Sequence, residues 1–412
     1  MRLKKVFSWL GPGLLYAAAA IGVSHLVQST RAGASFGYEL LWAIVIANFL
    51  KYPFFKNGPL YTLYSNESLL AGYRRIGSWA IYLFFMITLG TIFTVQAAIT
   101  IVTAGLANQF FGLALNPVLM SFILLLVCSV ILIIGNYKLL DNIIKIIIIV
   151  LSLTTLIAVI MSLNSTSLRP TVVRDSFSFL NNDHIFFLVA LIGWMPGPLD
   201  LPIWQSLWTL EKQQQLNKPK LKNSLLDFNI GYIGTALLAI CFLTLGAQVM
   251  YPTGIEFSGK ANEFSSQLIQ LYTDTIGSWS YPIILICSFS TMFSTCLTCM
   301  DAFPRILREG VIVLDPKLSL KQRKLYLVFL GVVFFGTMLI LLNFLTDMKG
   351  LVDFATTLSF LVAPVFAYLN LRVMSLPNVR HLYRPTLFMQ ILSYSGLVFL
   401  IGFALYFCYL KI

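Results

Sequence analysis

The chain has 412 residues, 58% of them hydrophobic and 11% charged, with a formal net charge of +12. Soluble domains carry about a quarter charged residues, so a water-soluble globular protein is excluded. Long apolar runs without alternation exclude a β-barrel. The composition is that of an all-α polytopic membrane protein.

In chain order, "MRLKKVFSWLGPGLL" has a basic start and no small-residue cleavage site, so it reads as the entry to a first span and not as a removed signal. About 11 spans follow, at 12–33, 36–56, 79–108, 116–135, 138–162, 184–209, 224–249, 278–303, 325–345, 350–371 and 386–409. With the N-terminus in the cytoplasm, 22 of the 28 Lys and Arg residues fall on the inner side. Lys51 is counted there, with the loop between spans 2 and 3. Arg31, Arg169, Arg174, Lys260, Lys349 and Lys411 fall outside. This positive-inside asymmetry makes the basicity topological and removes nucleic acid as a partner. The expected location is a bacterial inner membrane, with a cytoplasmic N-terminus and an extracytoplasmic C-terminus. The lipid bilayer is the implied partner, and no obligate protein partner is evident.

Span 1 runs about ten residues from Gly13 to an interruption at Gly22-Val23-Ser24-His25. Span 6 runs a similar distance to "GWMPGPLD", residues 193–200. Ten helical residues rise about 15 Å, half of a ~30 Å hydrocarbon core, so both interruptions land near the midplane. Five spans separate them, which reverses the direction of travel. The pattern predicts a five-plus-five inverted repeat, 12–162 and 184–371, with an additional C-terminal helix at 386–409, all in one transmembrane domain over 1–412. In the second break Pro196 and Pro198 remove two backbone donors and Gly193 and Gly197 tolerate non-helical angles. Carbonyls freed there must line a cavity or coordinate something. Gly22, Ser24, His25, Met195, Gly197 and Asp200 are therefore candidate substrate-site residues, with His25 and Met195 as candidate metal ligands. His25 alternatively bonds a carbonyl of the break, and Asp200 alternatively caps the second half of span 6.

Further along, Asn164-Ser165-Thr166 is a sequon with meaning only in a secretory pathway. "NEFSSQLIQLYTDTIG", 262–277, has helical periodicity and is expected to lie as an amphipathic segment at the outer surface. "CLTC", 296–299, reads as helix packing more than as a metal or redox pair. Asp301 and Arg305, four apart, predict a structural pair or an inner gate. All six cysteines fall inside spans, so no disulfide framework is implied. No nucleophile–base–acid set and no phosphate loop is visible, so neither an enzyme nor an ATP-driven pump is expected, and no cofactor beyond a transported ion.

"GPGLLYAAAAIG" and "TRAGASFGYELLWAIVIANFL" in spans 1 and 2, with "WMPG" in span 6 and "IIGNYKLLDNIIKII" at spans 4–5, resemble the Nramp divalent-metal transporters, which share the LeuT-type fold. The resemblance implies a secondary transporter of a divalent metal cation, working by alternating access. It also marks departures. The family's Asp-Pro-Gly-Asn motif reads Gly22-Val23-Ser24-His25, and its Met-Pro-His reads Met195-Pro196-Gly197. The acidic positions of span 3 fall on Gln96 and Ile99, and the polar position of span 10 on Thr356. Thr356 joins the candidate site, and Gln96, Asp301 and Arg305 the gating or coupling set. With those acids missing and Asp200 the nearest carboxylate, the site suits a softer metal than Mn²⁺, a largely hydrated cation, or no metal at all. A small organic solute such as an amino acid, or a non-transporting sensor of the same fold, is the alternative.

Overall fold

A computed structural model describes residues 11–134, 137–164, 176–215, 221–254, 256–343 and 347–411, with side chains undescribed over 137–148 and at 215 and 411. Ser165 and Thr166 of the sequon, Arg169, Arg174 and the basic N-terminal residues lie outside this set.

The helices are α1 (Pro12–Ala20), α2 (Thr30–Phe36), α3 (Leu41–Ser65), α4 (Leu69–Ile76), α5 (Ser78–Phe111), α6 (Pro117–Ile134), α7 (Tyr137–Asn164), α8 (Asn182–Gly193), α9 (Leu201–Gln215), α10 (Leu221–Leu245), α11 (Ala261–Ile276), α12 (Tyr281–Leu314), α13 (Gln322–Asn343), α14 (Met348–Met374), α15 (Pro377–Arg380) and α16 (Leu387–Lys411). Among the described residues seven helical stretches, beginning at α5, α6, α10, α12, the turn before α13, α14 and α16, are long and apolar enough to cross a membrane. The other four expected spans are the two broken ones, α3 with its buried Asn48, Lys51 and Asn57, and the partly described α7. Large apolar side chains such as Phe335, Leu339, Val398 and Leu405 stand exposed on the perimeter, where only lipid can cover them. The chain is an integral multi-pass membrane protein.

Two groups of helices meet at the centre. In one, α1 packs along α10 and α9 along α3. The Tyr16 ring of α1 stacks on Tyr232 of α10 at 5.9 Å and meets Phe55 of α3 edge-on at 5.6 Å. Asp227 of α10 accepts from the amides of Gly11 (3.2 Å) and Gly13 (2.7 Å), a carboxylate at the positive end of α1. In the other group α5 packs on α12 and α14. Span 1 belongs to the first group throughout, because α2 packs on the π-helical turn Gly246–Met250 that ends α10.

Both breaks are present. Span 1 is interrupted at Ile21–Val23 and resumes as a π-helical turn, Ser24–Ser29, that runs into α2. The first break is therefore shorter than expected, and His25 already sits in the resumed helix. Span 6 is interrupted from Trp194 to Asp200. α11 differs from expectation in its surroundings. It is helical, but Phe264, Leu268, Ile269 and Tyr272 are buried and the helix packs on α5 and α7, so its apolar face is covered by protein.

Candidate functional site

The two breaks enclose a cavity of about 20 Å³, lined by Ala20, Val23 and Ser24 from span 1, Trp194, Gly197 and Pro198 from span 6, and Val95, Ile99, Thr295 and Cys299 from α5 and α12. That volume holds one water-sized body. No carboxylate lines it, and its polar side chains are two hydroxyls, a thiol and the indoles of Trp194 and Trp204.

The carbonyls freed by each break are met by resident donors. At the end of α1, the Thr295 hydroxyl lies 3.0 Å from the Ala18 carbonyl and 3.3 Å from that of Ile21. Gly22 permits this contact, since a Cβ there would stand 2.9 Å from Thr295 Cγ2. At the end of α8, Lys51 of α3 donates its ammonium to the carbonyls of Ile192 (2.5 Å) and Gly193 (3.1 Å). Gly193 in turn lies so close to α14 that a Cβ would stand 2.2 Å from the Thr356 carbonyl. Lys51 is 0% exposed, and among the described residues no carboxylate pairs with it. Its partner is the negative end of a half-helix. Counting Lys51 as an inner-side loop charge is thus corrected: it is a buried cation within span 2. The signal available in the sequence is the KYP step, a charge placed before Pro53 inside a continuing helix.

This arrangement makes a stability prediction. Lys51→Met removes a desolvated charge but strands the buried Gly193 carbonyl, that of Ile192 still accepting from the Met195 amide, and the second effect should win by on the order of 1 kcal/mol. The unfolding midpoint in detergent should fall accordingly, and a midpoint equal to wild type would refute the assignment.

The other candidate residues separate into distinct environments. Ser24 and Gly197 line the cavity. His25 does not. Its Nε2 lies 2.9 Å from the Thr235 carbonyl of α10, and its Nδ1 lies 2.7 Å from Ser24 Oγ, which also contacts the Ala20 carbonyl at 2.7 Å. A carbonyl only accepts, so Nε2 carries a proton, and the ring is tied away from the cavity. Met195 is fully buried outside the cavity lining. Asp200 sits just before α9, buried, with its Oδ1 and the neighbouring Trp204 indole N–H both unpartnered, and it does not line the cavity. Gln96 donates to Thr100 Oγ1 (3.2 Å) and lies beside Cys296, one helical face away from the cavity, which its neighbours Val95 and Ile99 line. Of the CLTC pair, Cys296 packs there and Cys299 reaches the cavity. Among the described residues no cluster of three His, Cys, Asp or Glu forms a metal site.

Two ionic ties cross between the two groups of helices. On the α2 side, Arg31 makes a bidentate pair with Asp353 of α14, at 2.7 and 3.0 Å. Gln28 joins it, donating to Asp353 (2.9 Å) and Thr356 Oγ1 (3.3 Å) and accepting from Arg31 (3.0 Å), and the guanidinium lies 5.1 Å from the Phe187 ring centre. On the α9 side, Arg305 pairs with Asp301 (2.7 Å) on its own helix and with Glu211 of α9 (2.5 Å), while Tyr326 donates to Asp301 (2.7 Å). The Asp301–Arg305 pair is thus part of a tie between helices. Gln28, Arg31 and Asp353 were not singled out from sequence, because their partners are more than 300 positions apart.

The family profile described as "Natural resistance-associated macrophage protein-like" (Nramp) matches residues 13–410. An uncharacterised protein of Pasteurella multocida is 36% identical over 405 residues, covering 97% of this chain and 92% of its own. Among solved structures, a mutant of the Eremococcus coleocola manganese transporter superposes with a TM-score of 0.71 at 15% identity, covering 98% of this chain and 86% of that one. MhsT in complex with L-phenylalanine superposes with a TM-score of 0.64 at 12% identity, covering 96% and 97%. Both likenesses are of fold: the LeuT-type five-plus-five arrangement with one additional C-terminal helix.

Proposed function

Because this chain belongs to the Nramp family, we propose that it carries a metal cation across the membrane by alternating access, with the cation held where the two breaks meet. The observation that carries this reading is the size of the central cavity. About 20 Å³ accommodates a single ion or water, whereas an amino acid with its side chain needs several times that space. The donors there are Ser24, Thr295 and Cys299, with Met195 buried nearby, and their uncharged, partly sulfur-bearing character favours a softer ion over Mg²⁺ or Mn²⁺. Spans 1, 2, 6 and 7 move together against the remainder. The N-terminus is cytoplasmic, in an inner membrane, so the Arg31–Asp353 tie is the outer gate and the Arg305–Glu211 tie the inner one.

The test is uptake into proteoliposomes, inside negative, with Cd²⁺, Co²⁺, Mn²⁺, Mg²⁺ and a set of amino acids offered separately. Metal accumulation with Cd²⁺ ahead of Mg²⁺ is expected. Accumulation of an amino acid without any metal would overturn the reading, and no accumulation of either would leave the sensor reading in its place.

A further inference from the structure

A cavity of about 730 Å³ lies away from the central site, between the end of α14 and the start of α16. Three arginines line it: Arg372 in the last turn of α14, Arg380 ending α15, and Arg384 in the connection to α16. None of the three side chains is engaged in an ion pair or hydrogen bond, and no carboxylate lines the cavity. Elsewhere Arg31 and Arg305 are paired with acids, while the half-buried Arg308 leaves its Nε unpartnered. Arg372, Arg380 and Arg384 are exposed and unpaired, so three guanidiniums concentrate positive charge on one accessible space, and a guanidinium fork matches phosphate geometry.

The remainder of the lining identifies what the anion is attached to. The cavity continues along Leu371 on α14 and along Tyr394 and Leu397 on α16. Leu397 lies ten residues into α16, about 15 Å above its start, which is the depth of one hydrocarbon leaflet. A free phosphate makes no use of a groove of that length, whose lining mixes Leu371, Tyr394 and Leu397 with the polar Gln390 and Ser393. A phospholipid places its head at the arginines and an acyl chain along the channel.

We propose that this cavity is a binding site for an anionic phospholipid of the cytoplasmic leaflet, with Arg372, Arg380 and Arg384 holding the phosphate and the α14–α16 channel holding an acyl chain. Basic pockets between membrane helices on that side suit such headgroups. The site joins α16, which lies outside the repeats, to α14, the helix that carries Asp353 of the outer tie. It therefore anchors the C-terminal helix to an element that takes part in gating. The inference does not depend on which cargo the central site carries.

Native mass spectrometry of the purified full chain, after exchange into vesicles of equal phosphatidylcholine and phosphatidylglycerol and re-extraction, tests it. Wild type should retain phosphatidylglycerol in preference to phosphatidylcholine. Each arginine near an anionic headgroup is worth roughly fivefold, so the triple variant Arg372→Gln, Arg380→Gln, Arg384→Gln should lose retention by at least about tenfold. Should the triple variant not fold, Leu397→Trp, which fills the channel and leaves the charges, should lower lipid retention alone. Undiminished retention in the variant that folds overturns the proposal. So does displacement of the lipid by millimolar inorganic phosphate, which would make this a phosphate site.

Discussion

Asp353→Asn should open the outer route and speed modification of a thiol in the central cavity by about 30-fold. The tie it breaks is bidentate, further held by Gln28, and neither partner is freely solvated: the Arg31 side chain is 7% exposed and that of Asp353 25%. A fully buried pair that loses one partner costs 3–5 kcal/mol, and an exposed one less than about 1. This pair lies between, at about 2 kcal/mol, and 1.4 kcal/mol is a factor of ten. Cys299 supplies the reporter, since it lines the cavity as a native thiol. In a Cys408→Ser background, which removes the exposed thiol, an impermeant thiol reagent added outside should react faster in Asp353→Asn than in the parent. Cys299→Ala should abolish the signal. An unchanged rate would mean that the tie does not gate access.

The same reasoning makes the inner tie the weaker one. Glu211 is 53% exposed, so its pair with Arg305 is screened and worth less than about 1 kcal/mol. The stronger Asp301–Arg305 contact lies within α12 and does not resist separation of α9 from it. Thermal motion should therefore release the α9–α12 tie before the α2–α14 tie.

Sequence made the breaks legible because their cause is local. Two prolines within three residues, flanked by glycines, cannot complete an α-helix, and a glycine and polar residues at the matching depth of span 1 gave the symmetry. The occupants of the breaks were not legible, because their cause is not local. That freed carbonyls need partners follows from Pro196 and Pro198 alone. That the partners are Lys51 and Thr295 depends on which helices lie alongside. His25 shows the limit from the other side. An imidazole at membrane depth marks a special site, but only the neighbouring Thr235 carbonyl shows that the ring points at α10 and away from the cavity. A resident ammonium at α8 and a resident hydroxyl at α1 also explain how a chain without the family's acids remains folded: donors within the protein satisfy backbone that otherwise faces an empty site.

That replacement can be reversed at one position. Where the family has aspartate, this chain has Gly22, and a carboxylate there would add the charge that the cavity lacks. Gly22→Asp alone should fail, because its Cβ meets Thr295 Cγ2 at 2.9 Å, inside van der Waals contact. Thr295→Ser removes that methyl group and keeps the hydroxyl, whose 3.1 Å approach is tolerable, on the carbonyls of Ala18 and Ile21. The double variant Gly22→Asp, Thr295→Ser should therefore fold and present a carboxylate at the rim of a desolvated site. A carboxylate suits Mn²⁺, and in a low-dielectric surrounding its attraction for a divalent ion is little screened. After the cost of desolvating the acid, a gain of roughly 100-fold in Mn²⁺ affinity over wild type is expected. Titration calorimetry of wild type, both single variants and the double variant measures it. Thr295→Ser should bind as wild type does, and Gly22→Asp should lose stability without the full gain. If the double variant binds Mn²⁺ no more tightly than Thr295→Ser, position 22 does not face the cation, and the site must be drawn from the span 6 side of the cavity alone.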